Sequence, residues 1–99
     1  MMKVYLSEKY VGRELLVAVC DEDLIGKTFR EGNLKLEVKE SFYGGRLVSI
    51  EDALKAIERA TIVNLVGNTI ISKAIEAGLI HPDGVIKIQG IAHAQKVLL

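Results

Sequence analysis

The chain has 99 residues, 49% of them hydrophobic and only 5% aromatic, with 13 Lys+Arg against 13 Asp+Glu. That length supports a single domain, residues 1–99, around one aliphatic core, and the composition excludes disordered and fibrous classes. Charge also balances within each half, eight of each sign over 1–50 and five of each over 51–99, so no charge block steers the chain to nucleic acid or a membrane surface.

Taken in order, Met2 to Leu6 and Arg13 to Cys20 are rich in Val and Leu and predict two strands joined as a hairpin near Gly12. "DEDLIGK" then predicts one helical turn, capped by Asp21 and stopped at Gly26. A second hairpin is expected around "EGN", residues 31–33. In residues 34–39 Leu34, Leu36 and Val38 alternate with Lys35, Glu37 and Lys39, the period-2 pattern of a strand with one wet face. "FYGGRLV" predicts a loop into a short extended piece.

The clearest helix is "SIEDALKAIERA". Ser49 and Asp52 resemble a capping box, and Ile50, Ala53, Leu54, Ile57 and Ala60 share a stripe. "TIVNLVG" reads as an apolar strand leading into a second helix, with Asn68 as N-cap, a buried face of Ile70, Ile71, Ala74 and Ile75, and Gly78 as its stop. After the turn "HPDG", "VIKIQG" and "IAHAQKVLL" predict two final strands. No repeat or low-complexity segment interrupts this order. It predicts an α+β fold: two layers, a mixed and largely antiparallel sheet, and two main helices on one face. A doubly wound parallel fold is disfavoured by the early hairpins.

No membrane-length apolar run or signal-like h-region occurs, so a cytoplasmic protein is expected. The lone Cys20 ends the apolar run "LLVAVC" and is read as a buried, inert thiol. Few Cys, Gln and Asn beside many aliphatic and charged residues lean toward a thermophile.

Three stretches invite a functional reading. "NLVGN", residues 64–68, runs a strand through Gly67 into a helix N-terminus, where free amides would attract an anion; Gly67 as turn and Asn68 as cap explain it as well. The two histidines, His81 and His93, lack any zinc-ligand spacing, so no metal or cofactor is expected. None of Ser7, Ser41, Ser49 and Ser72 lies in a nucleophile elbow, and no catalytic set is assigned. In "SFYGGRLV", Phe42, Tyr43 and Arg46 would stack on unpaired bases and hold a phosphate, unless the aromatics pack back on the sheet. Lys73, Lys87, His93 and Lys96 would add positive charge if the C-terminal half brings them to one face.

Read together, "VNLVGN" (63–68), "AIEAGLI" (74–80) and "IKIQGIAHAQ" (86–95), with the opening "VYLSEKYVGRELLVAVCDEDLIGKTFREG", resemble domain of unknown function 424 over nearly the whole chain. Asn68 and Ala92 depart from the acidic residue and the proline expected at those positions. The resemblance implies an archaeal cytosolic α+β domain with no established activity, linked to translation and RNA binding, and singles out Asn64, Gly67, Gly90, His93 and Gln95 without assigning roles.

The leading expectation is therefore a small non-enzymatic module that binds RNA or a ribonucleoprotein of the translation apparatus. Arg46, Lys87 and Lys96 would contact phosphates, while His93 and Gln95 offer hydrogen bonds. One alternative is a small enzyme or anion binder using the helix end at Gly67 with His93 as acid or base. Another is a homodimeric scaffold pairing exposed strand edges, so both monomer and homodimer stay open.

Overall fold

A computed structural model describes residues 2–98. Eight strands and three helices follow one another as β1 (Lys3–Val11), β2 (Glu14–Asp21), β3 (Thr28–Glu31), β4 (Leu34–Glu37), α1 (Glu40–Tyr43), β5 (Arg46–Ser49), α2 (Ile50–Arg59), β6 (Ile62–Val66), α3 (Asn68–Glu76), β7 (Val85–Ile88) and β8 (Ile91–Val97). Six strands form one sheet in the order β5-β1-β2-β6-β8-β7, and β3 and β4 pair as a separate ribbon. Every pairing is antiparallel except β2 with β6. The fold is thus α+β, with α2 and α3 on one face of a mixed, largely antiparallel sheet.

Local sequence explains most of these elements. The Ser49 hydroxyl accepts the Asp52 amide at 3.1 Å and starts α2, whose Ala53, Ala56 and Ile57 turn inward. Ile70, Ile71 and Ala74 do the same for α3. Both helices cover a core cluster of Val4, Leu6, Val17, Val19, Val63, Leu65 and Ala94. The opposite face of the sheet holds a second cluster, in which Leu24, Leu36, Val38 and Tyr43 pack on Ala18, Cys20, Val66 and Ile88. β2 is therefore buried from both sides between Val17 and Cys20, which is why "LLVAVC" is continuously apolar instead of alternating.

Several boundaries and roles differ from expectation. β1 continues to Val11, because five further residues find partners on β2 as far as Val11↔Glu14. The β3–β4 ribbon leaves the main sheet and lies across its second face, burying Leu36 and Val38 while Lys35, Glu37 and Lys39 face solvent. Leu34, at the ribbon's end, is exposed. "FYGGRLV" starts not as loop but as the end of the helical turn α1, at Phe42 and Tyr43, and its expected extended piece is β5, from Arg46.

Candidate functional site

Strand alternation and register sort the candidate residues onto two faces. On β8, Ala92 and Ala94 turn toward the helices, so His93, Gln95 and Val97 turn toward the ribbon side. On β6, Val63 and Leu65 lie beneath the helices, so Ile62, Asn64 and Val66 share the other face. The ribbon and α1 cover this second face over Ala18, Cys20, Val66 and Ile88. Toward the other end a strip is left uncovered, carrying Leu16, Ile62, Asn64, Gln95 and Val97, with Lys9 at its margin and the half-buried His93, opposite Val66, at the border of the covered end.

Asn64 stands directly opposite Gln95, and the Gln95 Nε2 donates to Asn64 Oδ1 at 2.8 Å. His93 stands opposite Val66, and its Nδ1 lies 3.0 Å from the carbonyl oxygen of Leu65. A carbonyl only accepts, so Nδ1 must carry the proton and, in the neutral ring, Nε2 is left as a lone-pair acceptor. Among the described residues no hydrogen bond takes up the amide protons of Asn64 Nδ2, the Gln95 Oε1 acceptor or His93 Nε2. Alternation along β8 puts His93 with Gln95, and cross-strand register adds Asn64 as the direct partner of Gln95.

The other positions singled out by the resemblance serve the architecture. Asn68 does not cap α3: that place belongs to Gly67, and the Asn68 side chain reaches back to the β7–β8 turn. Its Nδ2 donates to Gly90 O at 3.0 Å, and its Oδ1 accepts the Ala92 amide at 2.9 Å. Gln89 and Gly90 form the two-residue connection between paired Ile88 and Ile91, both at positive φ (52° and 77°), the conformation that favours glycine. The Gln89 amide also donates to Glu31 Oε1 at 2.7 Å, tying ribbon to turn.

The helix end at Gly67 is already occupied. Asp21, at the end of β2, accepts the amides of Thr69 and Ile70 through its two carboxylate oxygens, each at 3.0 Å. These are the donors an anion would have used, so the expected anion site is corrected: an internal carboxylate fills it. Asp21 likewise makes no side-chain cap to the 3₁₀ turn Glu22–Leu24 that follows it. Burial pushes its carboxyl above the usual range, against the opposing pull of the Thr69 and Ile70 amides. Above this helix end an open cleft of about 600 Å³ is lined by Lys3, Asp21, Glu22, Asp23 and Thr69, and its carboxylates would repel an anion. His93 does not line it.

The cations do not converge, which corrects the expected phosphate-binding set. Arg46 and Lys87 occupy opposite edge strands, five strand spacings or about 24 Å apart. Arg46 Nη2 bonds Glu8 Oε1 at 2.8 Å, and Arg59 takes the other oxygen at 3.1 Å, holding the Glu8 carboxyl below its ordinary range, mainly through the Arg46 bond. Lys96 lies on the helix side opposite Val63 and donates to Leu79 O at 2.9 Å, beyond the C-terminus of α3. Lys87 lies on the same side, opposite Ala92, and lines a groove with Ile71, Ser72 and Ile75. His93 faces the other way.

Tyr43 is a core residue and Phe42 packs half-buried against the same cluster, so the pair is not a stacking platform. Their rings meet edge to face at 4.9 Å, Tyr43 is 4% exposed, and burial pushes its hydroxyl up to about 12. Cys20 is fully buried, and desolvation, then the nearby Asp21 and Asp23 charges, push its thiol up to about 12. His81 accepts the Asp83 amide at Nδ1 and caps the short turn Pro82–Gly84. Among the described residues no cluster of three or more His, Cys, Asp and Glu is placed to hold a metal ion, and no helix is long and apolar enough to cross a membrane.

The same architecture occurs in the crystal structure of an uncharacterized conserved protein from Methanopyrus kandleri. It superposes with a TM-score of 0.82 at 27% identity, over 98% of this chain and 92% of that one. No curated protein matches the chain. Residues 4–99 match the family described as "Protein of unknown function (DUF424)", and the chain belongs to that family.

Proposed function

We propose that this protein is a non-enzymatic module that binds RNA, within a ribonucleoprotein of the translation apparatus, through the uncovered strip of its sheet. One observation supports the reading above others. Of the positions singled out by the resemblance, Gly67 and Gly90 are consumed by turns and close packing, whereas the exposed Gln95 and the half-buried Asn64 and His93 lie together on the sheet face, in and beside the uncovered strip, with hydrogen-bonding groups to spare. Unpaired bases are read on sheet surfaces of this kind, by side-chain hydrogen bonds and by contact with flat or apolar groups such as His93, Ile62 and Val97.

The electrostatics set the mode of binding. With a formal net charge of zero and Lys9 as the cation at the margin of the strip, few phosphates are neutralised, so affinity for free RNA is modest and falls gently with salt. A partner that positions the RNA would supply the rest. The test is a filter-binding titration against ribosomal RNA and tRNA over a salt series, combined with co-sedimentation with ribosomal subunits. Retention no better than that of a neutral control protein in both assays would remove the proposal.

A further inference from the structure

We infer that the strip selects adenine and cytosine, whose exocyclic amino group stands beside an accepting ring nitrogen on the pairing edge, over uracil; this rests on the RNA-binding reading above. The argument is a count of donors and acceptors. His93 Nδ1 is committed to the Leu65 carbonyl, so Nε2 of the neutral ring offers a lone pair and no proton. Gln95 spends one Nε2 proton on Asn64 Oδ1, which leaves its Oε1 as a second outward acceptor and uses the Asn64 oxygen internally. Asn64 then presents only the donors of its Nδ2.

His93 and Gln95 are alternate residues of one strand, about 6.8 Å apart along it, and Asn64 lies across from Gln95. Both side chains reach across to β6, Gln95 to Asn64 and His93 to the Leu65 carbonyl, and two acceptors at that spacing flank one base edge. Two acceptors flanking a single position call for a nitrogen with two protons. The adenine N6 and cytosine N4 amino groups have them, and each stands beside a ring nitrogen that accepts from Asn64 Nδ2. Uracil has a single N3–H between two carbonyl oxygens. It satisfies one acceptor of the strip and sets a carbonyl against the other.

Cytosine and uracil make the sharpest comparison, because they have the same size and stack alike. The experiment is fluorescence anisotropy with labelled ten-nucleotide rA, rC and rU, on the full-length chain and on His93→Phe, which keeps a flat ring and removes Nε2. Losing one or two uncharged hydrogen bonds corresponds to roughly a fivefold to tenfold change. The expected result is rA and rC bound at least fivefold more tightly than rU, with His93→Phe bringing rC to the level of rU. Equal affinity for all three overturns the base preference and leaves the RNA-binding reading standing. Preference for rU overturns it as well, and binding of none removes both. The wild-type comparison decides the matter even if the variant folds poorly.

Discussion

Gly67 and Asp21 are fitted to each other. A Cβ at Gly67 would lie 2.2 Å from the Asp21 carboxyl carbon, and Gly67 sits at φ 125°. The carboxylate can reach the first amides of α3 only because nothing projects from that backbone. Two residues 46 positions apart thereby join the end of β2 to the start of α3, at the junction where β2 and β6 run parallel.

Gly67→Ala is expected to destabilise the protein by about 2–4 kcal/mol, from backbone strain plus loss of the cap. Asp21→Ala should cost about 1–2 kcal/mol by itself. Because the first substitution acts partly by displacing the carboxylate that the second removes, the double variant should fall short of the sum by about 1 kcal/mol. Urea denaturation of the four proteins measures this, and strict additivity would show that the contact carries no energy.

Asn68→Ala leaves the Ala92 amide and the Gly90 carbonyl without their side-chain partner, and a loss of about 1–3 kcal/mol is expected. Hydrogen exchange should quicken at the Ala92 amide. RNA retention should change less than twofold, since Asn68 lies away from the strip. A large loss of binding at unchanged stability would instead make Asn68 a contact residue.

Short-range patterns were legible because their causes are short-range. The Ser49 cap, the inward faces of α2 and α3 and the alternation of Leu36 and Val38 all depend on neighbours within one or two turns or along one strand. What the sequence concealed is set by register and crossing. Asp21 looks like the cap of the turn that follows it, and only the parallel placement of β2 beside β6 brings it to α3 instead. Likewise Asn64 pairs with Gln95 through a register that nothing local specifies, and the same sheet order puts Arg46 and Lys87 on opposite edges.

Glu8 supplies the pH dependence. Its carboxyl is held below the ordinary range by Arg46 and then Arg59, so its contribution is present above the unfolded-state value and is lost as pH falls through the lower folded-state value. The pairs lie at the surface, so Glu8→Gln should cost no more than about 1 kcal/mol at neutral pH. The gap between wild type and variant should close in acid and shrink in molar salt. Thermal melts from pH 7 to pH 2 measure it; a gap that widens in acid would reverse the assignment.

Cys20 should be silent toward thiol reagents in the folded protein. It is fully buried, and a thiol pushed up to about 12 carries almost no thiolate at neutral pH. Ellman's reagent is expected to label it only in denaturant, at the rate of unfolding. Stoichiometric labelling within seconds under native conditions would contradict the packing of Cys20 beneath Leu24 and Val38.

The strip and the cations give opposite predictions for RNA binding. Gln95 is exposed and its bond to Asn64 is a surface one, so Gln95→Ala and Asn64→Ala should each shift stability by less than about 1 kcal/mol. If the strip contacts bases, each should still weaken RNA retention about fivefold to tenfold. Arg46→Ala and Lys87→Ala, on opposite edges, should weaken it less than threefold. They should also flatten the salt dependence by less than one unit of slope, because neither side chain borders the strip. Filter binding of the four variants, with circular dichroism melts as the control for folding, separates the two pictures. Loss of binding in the arginine and lysine variants but not in the amide variants would move the RNA off the sheet face and onto its edges.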